Sequence, residues 1–168
     1  MYIGGFEMIH RTEFDGLPNE IMLYGTLFSL SNRIQTIGDE VFPDITMKQH
    51  FILMTLNLLQ ETSPNLKEVA EIVGCSYQNI KKILVSLEKK GYIKIDRNKE
   101  DKREYKIILT KKIKKVSSDI DREINDFMTS LYKDLSKESL LSTIAVLKQM
   151  ELNLKSLSKN EEYNDKPI

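Results

Sequence analysis

The chain has 168 residues, enough for one sizeable core or a small domain with an extension, and its 25 Lys+Arg balance 25 Asp+Glu. A single cysteine, Cys75, excludes an intrachain disulfide framework and fits a reducing compartment. No apolar run reaches membrane-spanning length and no basic-then-apolar leader opens the chain at Met1, so the composition reads as a soluble cytoplasmic protein with no membrane partner.

Residues 1–19 hold glycines, a proline and mixed charges, and predict a loose arm with at most one short helical turn. From Glu20 to about Ile37 the apolar positions Ile21, Tyr24, Leu27, Phe28, Leu30, Ile34 and Ile37 recur at helical spacing. Phe42, Pro43 and Asp44 mark a break, because proline biases the residue before it away from the helical region. Thr46 and Gln49 have capping-box spacing and open a helix carrying Phe51, Ile52, Leu53, Leu56 and Leu59. Asn65, with Glu68 three residues on, caps a short helix whose Val69, Ile72 and Val73 face inward and which stops at Gly74.

Ser76 then caps a helix with Ile80, Ile83, Leu84 and Leu87 on one face, ending at Gly91. Tyr92–Ile95 and Tyr105–Leu109 read as two strands, and the polar residues between them as the turn of a hairpin. Thr110 caps a long helix from about Lys111 to Leu131, through Ile113, Val116, Ile120, Ile124, Phe127 and Met128. Ser136 opens a last helix along Leu140, Leu141, Ile144, Leu147, Met150, Leu154 and Leu157, and beyond Ser158 the polar sequence predicts a frayed tail. The expected fold is mainly α with a small β-hairpin.

The balanced total charge conceals an uneven distribution. Between Lys81 and Lys115 there are fourteen basic residues against five acidic ones, so the rest of the chain carries a matching acidic excess. A basic module inside an acidic scaffold suits a polyanion, although a solvated lysine-rich face would have the same composition. Position decides between these readings. Two facing amphipathic helices joined by Gly74, Cys75 and Ser76 form a helix-turn-helix pattern, and the basic hairpin that follows supplies a wing.

The stretch LKEVAEIVGCSYQNIKKILVSLEKKGYI (Leu66 to Ile93), followed by DKREYKIILT (Asp101 to Thr110), resembles the MarR family of winged helix-turn-helix transcriptional regulators. Leu87, Glu88, Lys89, Lys90 and Gly91 match the end of the family's helix-turn-helix. Asp101 and Arg103 match its wing Asp-x-Arg pair, and Leu109 with Thr110 matches its closing Leu-Thr. The pattern extends over roughly Leu17 to Leu157. The chain departs from the family at Ile95, often an arginine, although Arg97 lies two residues on. It departs again at Lys112 and Ile113, where a glycine is common. The resemblance implies three parts: 1–40 as arm and first dimerisation helix, 41–110 as DNA-binding winged helix-turn-helix, and 111–168 as dimerisation helices with a polar tail.

On this reading the protein is a transcriptional regulator that binds double-stranded DNA sequence-specifically, a repressor that occupies a pseudo-palindromic operator as a homodimer. Ser76, Tyr77, Gln78, Asn79, Lys81 and Lys82 are the exposed candidates on the reading helix. Gln and Asn side chains bond adenine, and Lys and hydroxyl groups bond phosphates. Arg97, Lys99, Lys102 and Arg103 belong to the wing, with Arg103 suited to the minor groove. The resemblance gives Asp101 the role of orienting Arg103. It also implies a crevice beside the dimerisation helices that takes a small aromatic or phenolic effector, with Tyr24, Phe28, His50, Phe51 and Met54 as candidate lining residues that also suit a plain core.

Cys75 occupies the helix-turn-helix turn, a position for a small apolar residue, and reads as a packed thiol with no sensing role. His10, His50 and Cys75 are too widely spaced for a zinc site, so no metal or other cofactor is expected. Two other function classes weigh less. A protein-interaction winged helix without DNA reading would not need the charge excess at Lys81 to Lys115. An enzyme would need a nucleophile with a base, paired carboxylates or a phosphate loop, and the sequence offers none.

Overall fold

A computed structural model describes residues 14–41, 44–62, 64–97 and 105–164. In chain order they form α1 (Asn19–Val41), α2 (Met47–Leu58), α3 (Leu66–Val73), α4 (Tyr77–Lys89), β1 (Ile93–Arg97), β2 (Tyr105–Leu109), α5 (Lys111–Leu131) and α6 (Lys137–Asn164). The chain divides into two compact units, Met1–Phe127 and Met128–Ile168.

Within the first unit, α1 continues past the expected Ile37 to Val41. Proline disfavours the helical region only for the residue directly before it, which leaves Val41 free to stay helical. Gly38 is buried where α1 meets the start of α2. A methyl group there would lie 2.2 Å from Met47 Cε, the mobile end of that side chain, and 3.1 Å from Met47 Cβ, so any larger residue would have to displace Met47. The neighbouring Asp39 accepts the Met47 N–H at Oδ1 (2.6 Å), satisfying one of the free donors at the α2 N-terminus.

The caps form as their spacing predicts. Thr46 and Gln49 exchange backbone and side-chain bonds at 3.2 Å each, and Asn65 Oδ1 accepts from Lys67 N–H and Glu68 N–H while Glu68 returns a bond to Asn65 N–H. Gly74 closes α3 with φ of +69°, in the left-handed region that favours glycine. The inward face of α3 is Leu66, Val69, Ala70 and Val73, spaced three and four apart. Ile72 is off that stripe and is 52% exposed, against expectation. Phe51 on α2 also turns outward, while Ile52, Leu53 and Leu56 are buried.

The core joins these residues to Ile80, Leu84 and Leu87 of α4, with Ile45, Tyr92 and Ile93. Each fully buried aliphatic side chain contributes about 1.5–3 kcal/mol relative to exposure. The wing is antiparallel, pairing Ile93 with Leu109, Ile95 with Ile107 and Arg97 with Tyr105. Ile93, Ile95, Ile107 and Leu109 alternate onto the core, and Lys94 and Lys106 face outward. The first strand starts one residue later than Tyr92, because the Tyr92 N–H is engaged by the Leu87 carbonyl at the end of α4 (3.0 Å). Ile113 and Ile124 of α5 pack against the same core.

In the second unit, Ser136 Oγ accepts the Ser139 N–H (3.1 Å) as α6 begins. Asp134, in the turn before it, has φ of +62°, a conformation Asp tolerates better than most residues. The helix runs to Asn164, past the fraying expected beyond Ser158. Lys, Glu and Asn are compatible with a helix, and no proline lies between Ser136 and Pro167. Among the described residues, no helix is long and apolar enough to cross a membrane.

Candidate nucleic-acid interface

Burial of Ile80, Leu84 and Leu87 at 0% exposure fixes the rotation of α4 about its own axis. With that face inward, Gln78 and Lys82 stand exposed on the opposite side, Asn79 and Lys81 are exposed on its flanks, and Ser76 and Tyr77 are exposed at the N-terminal end. Ser76 Oγ accepts the Asn79 N–H (3.3 Å), so the hydroxyl acts as a cap and the Asn79 side chain remains on the surface. Exposed amide and ammonium groups at the positive end of a helix form a surface matched to phosphate oxygens and base edges.

The turn that sets α4 against α3 consists of Gly74, Cys75 and Ser76. Cys75 is half-buried and packs against the core. Beside it lies an open hollow of about 450 Å³ lined by Lys67, Ala70, Glu71 and Tyr77 together with the turn itself.

The base of the wing is held by both ends of the basic module. Glu88 Oε1 accepts the Ile95 N–H (2.6 Å), which occupies a donor on the exposed edge of β1. Thr110 donates its hydroxyl to the Gly91 carbonyl (2.7 Å) and its N–H to the Tyr92 carbonyl (3.0 Å). Of the wing candidates, Arg97 ends β1, and Lys99, Asp101, Lys102 and Arg103 lie outside the described residues, as does His10.

A polar cluster that sequence spacing does not reveal sits behind this surface. The Tyr92 hydroxyl donates to Asp44 Oδ2 (2.8 Å), and Lys112 Nζ reaches the same oxygen at 3.1 Å. Lys112 Nζ also donates to the Lys90 carbonyl (2.9 Å) and lies 4.3 Å from the centroid of the Tyr92 ring. Gln49, buried on α2, donates to Ser86 Oγ (3.1 Å) and accepts from Lys90 Nζ (3.1 Å). The Tyr92 hydroxyl, then Lys112, hold the Asp44 carboxyl below the usual carboxylate range. Burial, then the facing carboxylate, pushes the Tyr92 phenol up to about 12.

The candidate effector residues do not enter the core of the single chain. Tyr24 and Phe28 of α1 are 63% and 61% exposed, with ring centroids 4.9 Å apart. Phe51 and Met54 are exposed on α2, and His50 is half-buried beside them in sequence. Among the described residues, no group of three or more His, Cys, Asp or Glu is placed to hold a metal ion.

Comparison with known proteins places this geometry. The sequence model of the MarR family matches residues 45–105, from two residues before α2 to the first residue of β2. An uncharacterized HTH-type transcriptional regulator of Bacillus subtilis (strain 168), YfiV, is 34% identical over 73 residues, a match that spans 44% of this chain and 44% of that protein. The structure of the S. aureus MepR–DNA complex aligns with a TM-score of 0.67 at 22% identity, covering 82% of this chain and 99% of that one. A MarR/EmrR family transcriptional regulator from Acinetobacter sp. ADP1 aligns with a TM-score of 0.72 at 17% identity, covering 83% and 99%. The segment 45–105 thus carries the family's sequence, and the chain has the winged helix-turn-helix fold of the MarR family of transcriptional regulators.

Proposed function

We propose that the protein is a transcriptional regulator that binds double-stranded DNA sequence-specifically, a repressor that occupies a pseudo-palindromic operator as a homodimer. The observation that carries this reading is the two-sidedness of α4: an inward face at 0% exposure, a polar outward side of Gln78, Asn79, Lys81 and Lys82, and an exposed Tyr77 at its N-terminal end. Gln78 and Asn79 are assigned to base edges, and Ser76, Tyr77, Lys81 and Lys82 to phosphates or guanine edges. Arg97, Lys99 and Lys102 add salt-sensitive affinity, Arg103 enters the minor groove, and Asp101 holds it there. That MepR is solved in complex with DNA supports a nucleic-acid role for the shared fold.

The proposed division of labour assigns DNA to 41–110 and self-association to 1–40 and 111–168. Exposed apolar residues on α1 and α6 support a two-fold dimer, which would present two reading helices to two half-sites. A small aromatic or phenolic effector bound beside Tyr24, Phe28, His50, Phe51 and Met54 would release the DNA.

The test compares Arg103→Ala, Lys99→Ala and Asp101→Ala on one duplex selected by the parent protein, at two salt concentrations. Minor-groove insertion predicts an arginine loss roughly 1–3 kcal/mol larger than the lysine loss. Asp101→Ala should weaken binding although it removes a negative charge. Tighter binding by that variant, with equal losses for the other two, would reduce the wing to a charged surface.

A further inference from the structure

Three separated stretches of the chain converge on one point of the first unit, the middle one joining the end of α4 to the wing. They are the turn before α2 at Asp44, the end of α4 at Lys90 and Gly91 with the entry to the wing at Tyr92, and the exit from it at Thr110 and Lys112. The Asp44 carboxylate receives both the Tyr92 hydroxyl (2.8 Å) and the Lys112 ammonium (3.1 Å), and its carbonyl receives the Lys90 ammonium (2.5 Å). Lys112 meets three partners: the Asp44 carboxylate, the Lys90 carbonyl at 2.9 Å and the Tyr92 ring face. Its charge belongs to the most basic stretch of the chain, yet it is engaged by partners within the chain while 39% of the side chain stays exposed.

We propose that Asp44, Tyr92 and Lys112 form a clamp that positions the reading helix and the wing against the start of α5, and so act as positioning residues for DNA binding. The inference rests on the DNA-binding reading above. The mechanical argument is one of leverage. Each wing strand has five described residues and extends roughly 16 Å from its base, so a tilt of about 10° at the clamp moves the far end by roughly 3 Å. A displacement of that size exceeds the tolerance of a hydrogen bond to a phosphate or base edge. The clamp lies where such a tilt would originate, because Tyr92 begins the wing and Lys112 follows its end.

Charge makes the proposal separable from simple electrostatics. Asp44→Asn preserves shape and removes a negative charge, so a surface that merely attracts a polyanion would bind DNA more tightly. Loss of the clamp weakens it. Lys112→Met and Lys111→Met each remove one positive charge from neighbouring positions, and Lys111 is exposed. Tyr92→Phe keeps the ring beneath the ammonium and removes only the hydroxyl.

The experiment selects a duplex from a randomised pool with the parent protein, then titrates each variant against it and against a scrambled duplex of equal length. Asp44→Asn and Lys112→Met should each weaken the selected duplex by about tenfold, as loss of a hydrogen bond to a charged group predicts, and should narrow the ratio between the two duplexes. Tyr92→Phe should shift that ratio in the same direction by less. Lys111→Met should weaken both duplexes alike. Simple loss of folded protein would also lower both affinities equally, so the ratio distinguishes misorientation from instability.

Unchanged or tighter binding by Asp44→Asn, with Lys112→Met matching Lys111→Met on both duplexes, overturns the clamp. Should Asp44→Asn fail to fold, the duplex ratio of Tyr92→Phe decides, and an unchanged ratio is then fatal. Should the parent select no duplex, the DNA-binding reading fails, and the clamp is tested apart from it by amide hydrogen exchange over 110–113. Faster exchange in Lys112→Met and Tyr92→Phe than in the parent upholds the joint, and parental rates remove it.

Discussion

Helices α4 and α6 both carry apolar side chains at threes and fours, but they use them in opposite ways. On α4, Ile80, Leu84 and Leu87 are entirely buried. On α6, Leu141, Ile144, Leu154 and Leu157 remain between 48% and 64% exposed. The reading head closes its own core, with α2, α3, α4 and the wing contributing to one cluster. The apolar side chains of α6 stay uncovered among the described residues, and a contiguous exposed apolar stripe of this kind marks an interaction surface. Periodicity identifies an apolar face; whether the same chain covers it is a separate question.

The sharpest way to break this comparison is to truncate one leucine on each helix. Leu84→Ala should destabilise the protein by about 2–5 kcal/mol in denaturant unfolding, because it opens a cavity in a packed core. Leu154→Ala should leave monomer stability within ~0.5 kcal/mol and instead weaken self-association in sedimentation. Equal stability losses, or a parent that sediments as a monomer at micromolar concentration, would dissolve the contrast.

The second prediction uses pH to separate the polar joint of the head from its apolar core. The folded state keeps the Tyr92 proton up to about 12, whereas the unfolded chain releases it near the ordinary value of 10.0. Between those values the folded state binds more protons, so its stability is fully present below pH 10.0 and declines as pH rises toward 12. The decline should reach roughly 2 kcal/mol and be flatter in Tyr92→Phe, read from urea midpoints across this range. At the acid end the sign reverses. Asp44 contributes stability above the ordinary carboxylate value that fades as pH falls through its lowered one, and Asp44→Asn should remove that dependence.

The smallest effect is expected at the helix-turn-helix turn. Cys75 packs against the core and is assigned no sensing role, so DNA binding by the parent and by Cys75→Ser should be equally indifferent to mild peroxide. Oxidation that releases the parent but spares the variant would turn a packing residue into a regulatory one.

Local chemistry made much of this molecule legible from its sequence. The capping boxes at Thr46–Gln49 and Asn65–Glu68, the glycine stop at Gly74 and the start of α5 after Thr110 depend on residues within a few positions of one another. The same holds for the inward face of α4, where 3.6 residues per turn align Ile80, Leu84 and Leu87. The reading-helix candidates follow from that face by subtraction. These features have short-range causes, and a sequence records short-range causes directly.

Tertiary structure decided the rest. Ile72 and Phe51 are apolar residues on amphipathic helices, yet the outer limit of each buried stripe depends on which neighbouring element arrives to cover it. Tyr24 and Phe28 have core composition but stand exposed on α1. Asp44 reads locally as part of a chain break, and Lys112 as a departure from a familiar glycine. Folding brings Asp44 to Tyr92 and Lys112 across 48 and 68 positions, where one carboxylate is shared by a phenol and an ammonium. No periodicity relates residues so far apart. Their pairing is set by the packing of the helices and wing between them, and only that packing could convert an apparent exception at Lys112 into a contact.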